Sequence, residues 1–532
     1  MNGFKEQTKR QMGTSRVQEC AMEKQLGTTN EPKEQSERGS FLVACALLLF
    51  AFGCQSDEGS KVHPQKVHSE EKPDQHFRKE KPGPQSIAPI TFPTFERESL
   101  ENGLEVWVSE NHHLPITDVA FVTRVGTIQE KNGQGGLASL TFGALSEGTK
   151  ELDAYALHDA FQRLGTRLAV SVGREGGRLS LNLLKRNLAD GLKLMRDVVT
   201  QPLFSNDGFD RVKKKRLTYV KARRANPSAR AADAFLAVTY GEEHGYGKPP
   251  YGTTESLSSL TVADAKTFWK THVAPGNSAL IFTGDITMQE AKDLAQRHFG
   301  QWANRADPVD APKMPPQPEA FVHLLPAAPN APQTVMFFGR PLTSWSDGDD
   351  IYVASVMNQI LGGMFSSRLN LNLREEKGWT YGAQSDVSTR LGPGPFYAMS
   401  SIQSEHGPAA VAEFLREFKR MREEPVTVVE LQNAKDNATK SLPSKFETVT
   451  ALSNAAEELF MNRLPLDFFQ QIPQKINAVT VDEVNQMARR ALREEGLTIV
   501  LLGDVDQTAP GLEALELSRP IKIWDDDTSK KQ

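Results

Sequence analysis

Residues 261–286 read TVADAKTFWKTHVAPGNSALIFTGDI, and residues 480–505 read TVDEVNQMARRALREEGLTIVLLGDV. The two align without a gap. In each, a threonine caps a helix, an apolar run follows as a strand, and Gly-Asp closes it. The copies start about 219 residues apart, the size of one domain. A duplicated fold is therefore expected, not a short-period solenoid.

Between the copies, NRADPVDAPKMPPQPEA (304–320) is rich in proline and charge and poor in large apolar residues, a linker composition. This places one domain at 90–303, a linker at 304–319, a second domain at 320–518 and a tail at 519–532. In the first domain LEVWVSE (104–110) and ITDVAFVTRV (116–125) alternate as half-buried strands do. A helix over the stretch beginning at 135 and another over 153–165 follow, then a hairpin over 166–185 and helices near 187–201, 206–224 and 228–239. The second domain repeats the plan. Strands are expected near 333–339, 380–388 and 395–402, and helices near 349–361, 366–376, 407–422, 426–441 and 444–462. The expected fold class is α+β: two homologous domains, each an antiparallel β-sheet covered by helices.

The N-terminal region reads differently. FLVACALLLFAFG (41–53) is too short to span a bilayer as a helix but suits the core of a signal peptide. Small residues then precede Cys54, as at a bacterial lipoprotein processing site, although Phe52 departs from the usual residue there. The leader is long and acidic for such a signal, which makes Met22 an alternative start. Residues 1–54 are thus expected to be a lipoprotein-type signal peptide, lipidated at Cys54. Residues 55–89, charged and nearly free of large aliphatics, are expected to be a disordered tether. The three cysteines all lie in the first 54 residues, so the domains have neither a disulfide nor a cysteine metal site. A net charge of −5 gives no basic field for nucleic acid. The run KKKR (213–216) reads as the solvated face of a helix.

GGLASLTFGALSEGTK (135–150) has a glycine-rich start, an apolar stripe and a Gly-Thr stop. Further on come YGKPPYGTTESLSSLT (246–261), MFSSRLNLNLREEKGWTY (364–381) and LTIVLLGDV (497–505). In this order and at these spacings the four stretches resemble the insulinase/pitrilysin-like peptidases, the inverted-motif zinc proteases, over residues 90–510. Active members carry His-x-x-Glu-His on the first helix. That spacing puts all three side chains on one face, where the histidines bind zinc and the glutamate activates water. The resemblance places Ser139, Phe142 and Gly143 at those three positions, and Thr218 or Tyr219 where a third ligand, a later glutamate, would stand. None of them supplies the chemistry. Among the eight histidines after residue 88 none has ligand spacing, and His112 and His113, read as strand residues, would face opposite ways. No metal is expected in this chain. Gly143 inside a helix costs about 1 kcal/mol relative to alanine, which close packing against a neighbour would explain.

The resemblance implies the opposite for Arg374 and Tyr381. Family enzymes use an arginine and a tyrosine seven residues apart to bind the substrate backbone and the oxyanion that forms as water attacks. Arg374, at a helix end before Gly378, and Tyr381, expected on the next strand, have that spacing. Read without the resemblance, Arg374 pairs with Glu375 or Glu376 and Tyr381 is an ordinary strand aromatic. Some family enzymes divide the zinc motif and the arginine–tyrosine pair between two chains, and this chain resembles the second kind. The expected function is the non-catalytic subunit of a heterodimeric zinc endopeptidase. Its partners would be a homologous zinc-bearing subunit, a peptide substrate and, through the lipid anchor, the periplasmic face of the bacterial outer membrane. The alternative is an inactive scaffold or peptide-binding protein of the same fold, binding extended peptides at sheet edges. No Gly-x-Ser-x-Gly elbow offers an independent hydrolase.

Overall fold

The computed structural model describes residues 90–303, 305, 310–316, 322–517 and 519–524. The leader, Cys54, the tether and much of the linker lie outside them. In the first half the strands are β1 (Glu96–Ser99), β2 (Glu105–Glu110), β3 (Ile116–Thr123), β4 (Ala169–Val172), β5 (Gly177–Leu184) and β6 (Ser278–Gly284). In the second they are β7 (Val322–Pro326), β8 (Gln333–Pro341), β9 (Ala383–Val387), β10 (Pro395–Gln403), β11 (Thr498–Gly503) and β12 (Ile521–Ile523). They form two six-stranded sheets in the orders β1-β2-β6-β3-β5-β4 and β12-β7-β11-β8-β10-β9. From the second strand of each series onward the two orders correspond strand for strand, as the duplicated segments imply.

The sheets are mixed, which corrects the expectation of antiparallel sheets. β6 pairs parallel with β2 and antiparallel with β3. β11 does the same between β7 and β8. The reason is topological: β2 and β3 run in opposite senses, so a strand inserted between them must be parallel to one. These inserted strands are the apolar runs of the duplicated segments, and every residue in both is buried. Parallel pairing and full burial go together, because neither face is left to solvent. β12 also pairs parallel with β7, so the second sheet extends past the boundary read at 518.

The helices are α1 (Leu137–Ala144), α2 (Ala154–Arg163), α3 (Leu188–Thr200), α4 (Asn206–Arg224), α5 (Pro227–Tyr240), α6 (Thr254–Ser259), α7 (Val262–His272) and α8 (Met288–Phe299). The second half adds α9 (Asp350–Asn358), α10 (Arg368–Asn370), α11 (Gly407–Glu423), α12 (Val428–Lys440), α13 (Val449–Asn462), α14 (Phe468–Ala478), α15 (Val481–Ala491) and α16 (Val505–Glu513). Thr261 and Thr480 cap α7 and α15, each accepting from the backbone N–H three residues on, at 3.3 Å in both.

Residues from Phe92 onward form one compact unit, and two helices explain how. α5, from the first half, lies on β8 and β11 of the second sheet, where Phe235 stacks on Phe337 with ring centroids 5.6 Å apart. α13, from the second half, lies on β2, β3 and β6 of the first sheet. There Arg178 bonds Glu457 at 2.7 Å and Ser453 at 2.8 Å, and Arg124 donates to the Phe460 carbonyl at 2.8 Å. Each half thus lends a helix to cover the other's sheet.

Candidate functional site

The helix that would carry a metal motif is α1. Its first turn is held by Glu130, whose carboxylate oxygens accept from the backbone N–H of Gly136 at 3.1 Å and of Ala138 at 2.7 Å. These N–H groups have no partner within the helix. Burial pushes the Glu130 carboxyl up to about 8, against the two N–H bonds and Lys248, which hold it down. The sign follows. Between the ordinary value of 4.5 and about 8 the unfolded chain releases a proton that the folded chain keeps, so stability falls as pH rises through that window. We expect Glu130→Gln, which cannot ionise, to flatten thermal stability against pH between 5 and 8. Parallel curves for wild type and variant would show that Glu130 does not titrate in that range.

Phe142 is fully buried. Its ring meets Trp269 edge-on, centroids 5.3 Å apart, and lies against Gly177 of β5 with no room for a Cβ there. Ser139 is also buried. At Gly143 a Cβ would stand 2.7 Å from Val212 Cγ1 on α4, so the glycine is the close contact between α1 and α4. Thr218 spends its hydroxyl on the Lys214 carbonyl at 3.0 Å. Tyr219 meets Tyr251 edge-on at 5.5 Å, with the Arg216 guanidinium 5.3 Å above its ring. Next to them Arg223 makes a forked pair with Asp233 at 2.9 and 3.1 Å and shares the Tyr251 hydroxyl with it. Zinc does not fit such a place: aromatic rings and cations stand where anionic or imidazole ligands would have to converge. Among the described residues no group of three or more His, Cys, Asp or Glu side chains converges as a metal site requires. His112 and His113 fall in the turn after β2, not in a strand. His112 Nδ1 there lies 2.7 Å from Asp285. Lys213 of the basic run is more than a solvated charge, since it donates to the Ser258 and Leu260 carbonyls at 2.8 and 2.9 Å at the end of α6.

Arg374 and Tyr381 have the opposite character. Arg374 lies on a π-helical turn, Leu371–Glu376, that continues α10. Such turns recur at functional sites. Gly378 then reverses the chain at φ +68°, its N–H returning to the Arg374 carbonyl at 3.1 Å. Tyr381 is not on a strand, as the spacing suggested, but in a bend two residues before β9. The Thr380 hydroxyl accepts from Gly382 N–H at 3.1 Å, a local turn that competes with strand pairing. Thr380 also donates to the Ser401 carbonyl at 2.9 Å, and Ser400 to the Gly382 carbonyl at 2.9 Å. The backbone on both sides of Tyr381 is therefore pinned, yet its side chain is 94% exposed. The Arg374 side chain is 37% exposed; its 3.6 Å ion pair with Glu375 is too long for a hydrogen bond.

Other residues, not legible as site residues, hold this frame. Asn372, on the Arg374 turn, donates to the fully buried Glu417 at 2.7 Å and to Glu413 at 2.9 Å, both on α11. Arg420 closes on both Glu417 oxygens at 3.0 and 3.1 Å. Asn370 donates to the Phe365 carbonyl at 2.7 Å and accepts from Ala383 N–H at 3.3 Å, tying the loop before α10 to the start of β9. Nothing in sequence spacing marks Glu417, whose partner Asn372 lies 45 residues away, or Asn370, whose partners Phe365 and Ala383 lie 5 and 13 residues away.

Comparison with known proteins gives the family. Residues 105–252 match the model of the insulinase family, peptidase family M16, and residues 259–438 match that of the peptidase M16 inactive domain. Together they cover more than half of the chain, which belongs to the M16 family. It is 23% identical over 402 residues to a non-peptidase homolog, YmxG, of Helicobacter pylori, covering 74% of this chain and 90% of that one. It is 22% identical over 406 residues to an uncharacterized zinc protease, YmxG, of Bacillus subtilis, covering 75% and 96%. In fold it resembles a peptidase M16 inactive domain from Pseudomonas fluorescens, with TM-score 0.72 and 24% identity over 77% of this chain and 98% of that one. A Helicobacter pylori protease gives TM-score 0.71 and 19% identity over 77% and 100%.

Proposed function

We propose that this chain is the non-catalytic subunit of a two-chain M16 metalloendopeptidase. The partner is a homologous chain that brings the metal ion, its ligands and the general base. This chain brings Arg374 and Tyr381, which donate to the carbonyl oxygen of the scissile peptide bond as it gains negative charge. The observation that carries the reading is the contrast between two sites. At one Ser139 and Phe142 are packed into the core; at the other a phenol on a pinned backbone and a partly free guanidinium are turned to solvent. A scaffold has no use for a rigidly held, exposed donor pair. Lipidation at Cys54, with anchoring at the periplasmic face of the outer membrane, belongs to the same reading. Among the described residues no helix is long and apolar enough to cross a membrane.

The test is reconstitution. A quenched mixed-sequence peptide library is incubated with the purified chain, with a zinc-motif homologue from the same genome, and with both. Cleavage is expected only in the mixture, with a maximum at equimolar chains. A homologue equally active alone would overturn the split-enzyme reading and leave a scaffold or peptide-binding protein.

A further inference from the structure

The Tyr381 side chain is almost wholly exposed and makes no hydrogen bond or ring contact with any described residue. Where the phenol can reach therefore depends on the backbone on either side of it. Two hydroxyls fix that backbone. Gly382 N–H donates to Thr380 Oγ1 at 3.1 Å, and the Gly382 carbonyl accepts from Ser400 Oγ at 2.9 Å. Thr380 Oγ1 in turn donates to the Ser401 carbonyl at 2.9 Å and stands 3.0 Å from Ser400 Oγ. The turn is thus moored to β10, which is paired on both sides by β8 and β9. Packing does not restrain Gly382, since a Cβ built there would meet only Asn370 Oδ1, at 3.8 Å. Glycine is the residue with the most backbone freedom to lose. Next to Tyr381 that freedom is removed by side-chain hydroxyls.

We propose that Thr380, assisted by Ser400, is a positioning residue: its hydroxyl holds the Tyr381 phenol where the scissile carbonyl oxygen gains charge. This role rests on the function proposed above. A donor aimed at developing charge is effective because it needs no reorganisation when the charge appears. A side chain packed in the core takes its place from its neighbours; an exposed phenol has to take it from the backbone. A misplacement of about 1 Å by a change remote from the chemistry can cost about 10²-fold in rate. Thr380 touches no reacting atom in this reading and acts only through Tyr381. Since Tyr381 bonds the charge that forms in the transition state, the loss should fall on kcat and leave KM alone.

The experiment mixes the full chain with the zinc-motif homologue and follows one quenched peptide that the mixture cleaves. Thr380→Val keeps the shape of the side chain and removes the hydroxyl. It should lower kcat roughly 10–100-fold at unchanged KM. Thr380→Ser restores the hydroxyl and should stay within about threefold of wild type. In the chain alone, hydrogen exchange of the peptide covering Gly382 should be about fivefold faster in Thr380→Val, with the thermal midpoint unchanged. If Thr380→Val keeps kcat within about twofold while Tyr381→Phe loses it, the positioning role is overturned and the proposed function stands. If Tyr381→Phe is also fully active, or the mixture cleaves nothing, the proposed function falls and the role of Thr380 with it. A Thr380→Val chain whose activity falls only in step with folded protein, and is not restored by serine, has lost structure instead; that result overturns the inference too.

Discussion

Replacing Arg374 with alanine should lower kcat/KM of the proposed two-chain peptidase by roughly 10²–10³, with little change in the stability of this chain. The size of the effect is that of removing one preorganised donor from a developing oxyanion. The small stability change follows from the surroundings: a side chain 37% exposed, with an ion pair of 3.6 Å, leaves no buried partner stranded when it is removed. Arg374→Lys should recover little, because an ammonium cannot reproduce the planar stack on Phe365. Two measurements check this, steady-state kinetics of the mixture and thermal unfolding of the variant. A variant that keeps full kcat/KM would end the oxyanion role. One that loses folded protein in step with activity would turn it into a structural role.

The second large effect concerns α1. Restoring the family motif by Ser139→His, Phe142→Glu and Gly143→His should not restore a metalloenzyme; it should cost most of the folded protein. Phe142→Glu removes a ring packed on Trp269 and Gly177, a loss of about 3–5 kcal/mol for such truncations. It also puts a carboxylate among packed apolar side chains, and burying a charge that has no hydrogen-bonded partner costs further free energy. Gly143→His drives a side chain into Val212, and overpacking of this kind costs about 1–3 kcal/mol more. The third ligand is missing as well, since Thr218 and Tyr219 occupy its place. Denaturant midpoints of the single variants and zinc content of the triple variant check the argument. A folded triple variant with one zinc per chain would refute it.

The parts of the molecule legible in the sequence are those governed by local pattern. Thr261 and Thr480 announced their helices, and the apolar runs 278–284 and 498–503 announced buried strands, because capping and burial leave marks within one segment. The parallel pairing of those strands was not legible, since it depends on where a distant segment inserts. At the site, the tight contact anticipated at Gly143 is with Val212. Tyr381 was misplaced on a strand because a single hydroxyl, that of Thr380, turns the chain before pairing begins. Asn370 and Glu417 escaped notice because buried polar residues become meaningful only with their partners, and theirs are up to 45 residues away.

The exchange of α5 and α13 gives the duplicated chain a character that its sequence conceals. Two copies joined by a proline-rich cord would ordinarily be free to swing, like beads on a string. Here each copy wears the other's lid. The segments that carry Phe142 and Arg374 thereby belong to one compact unit. Neither half's sheet is complete in its covering without a helix from the other.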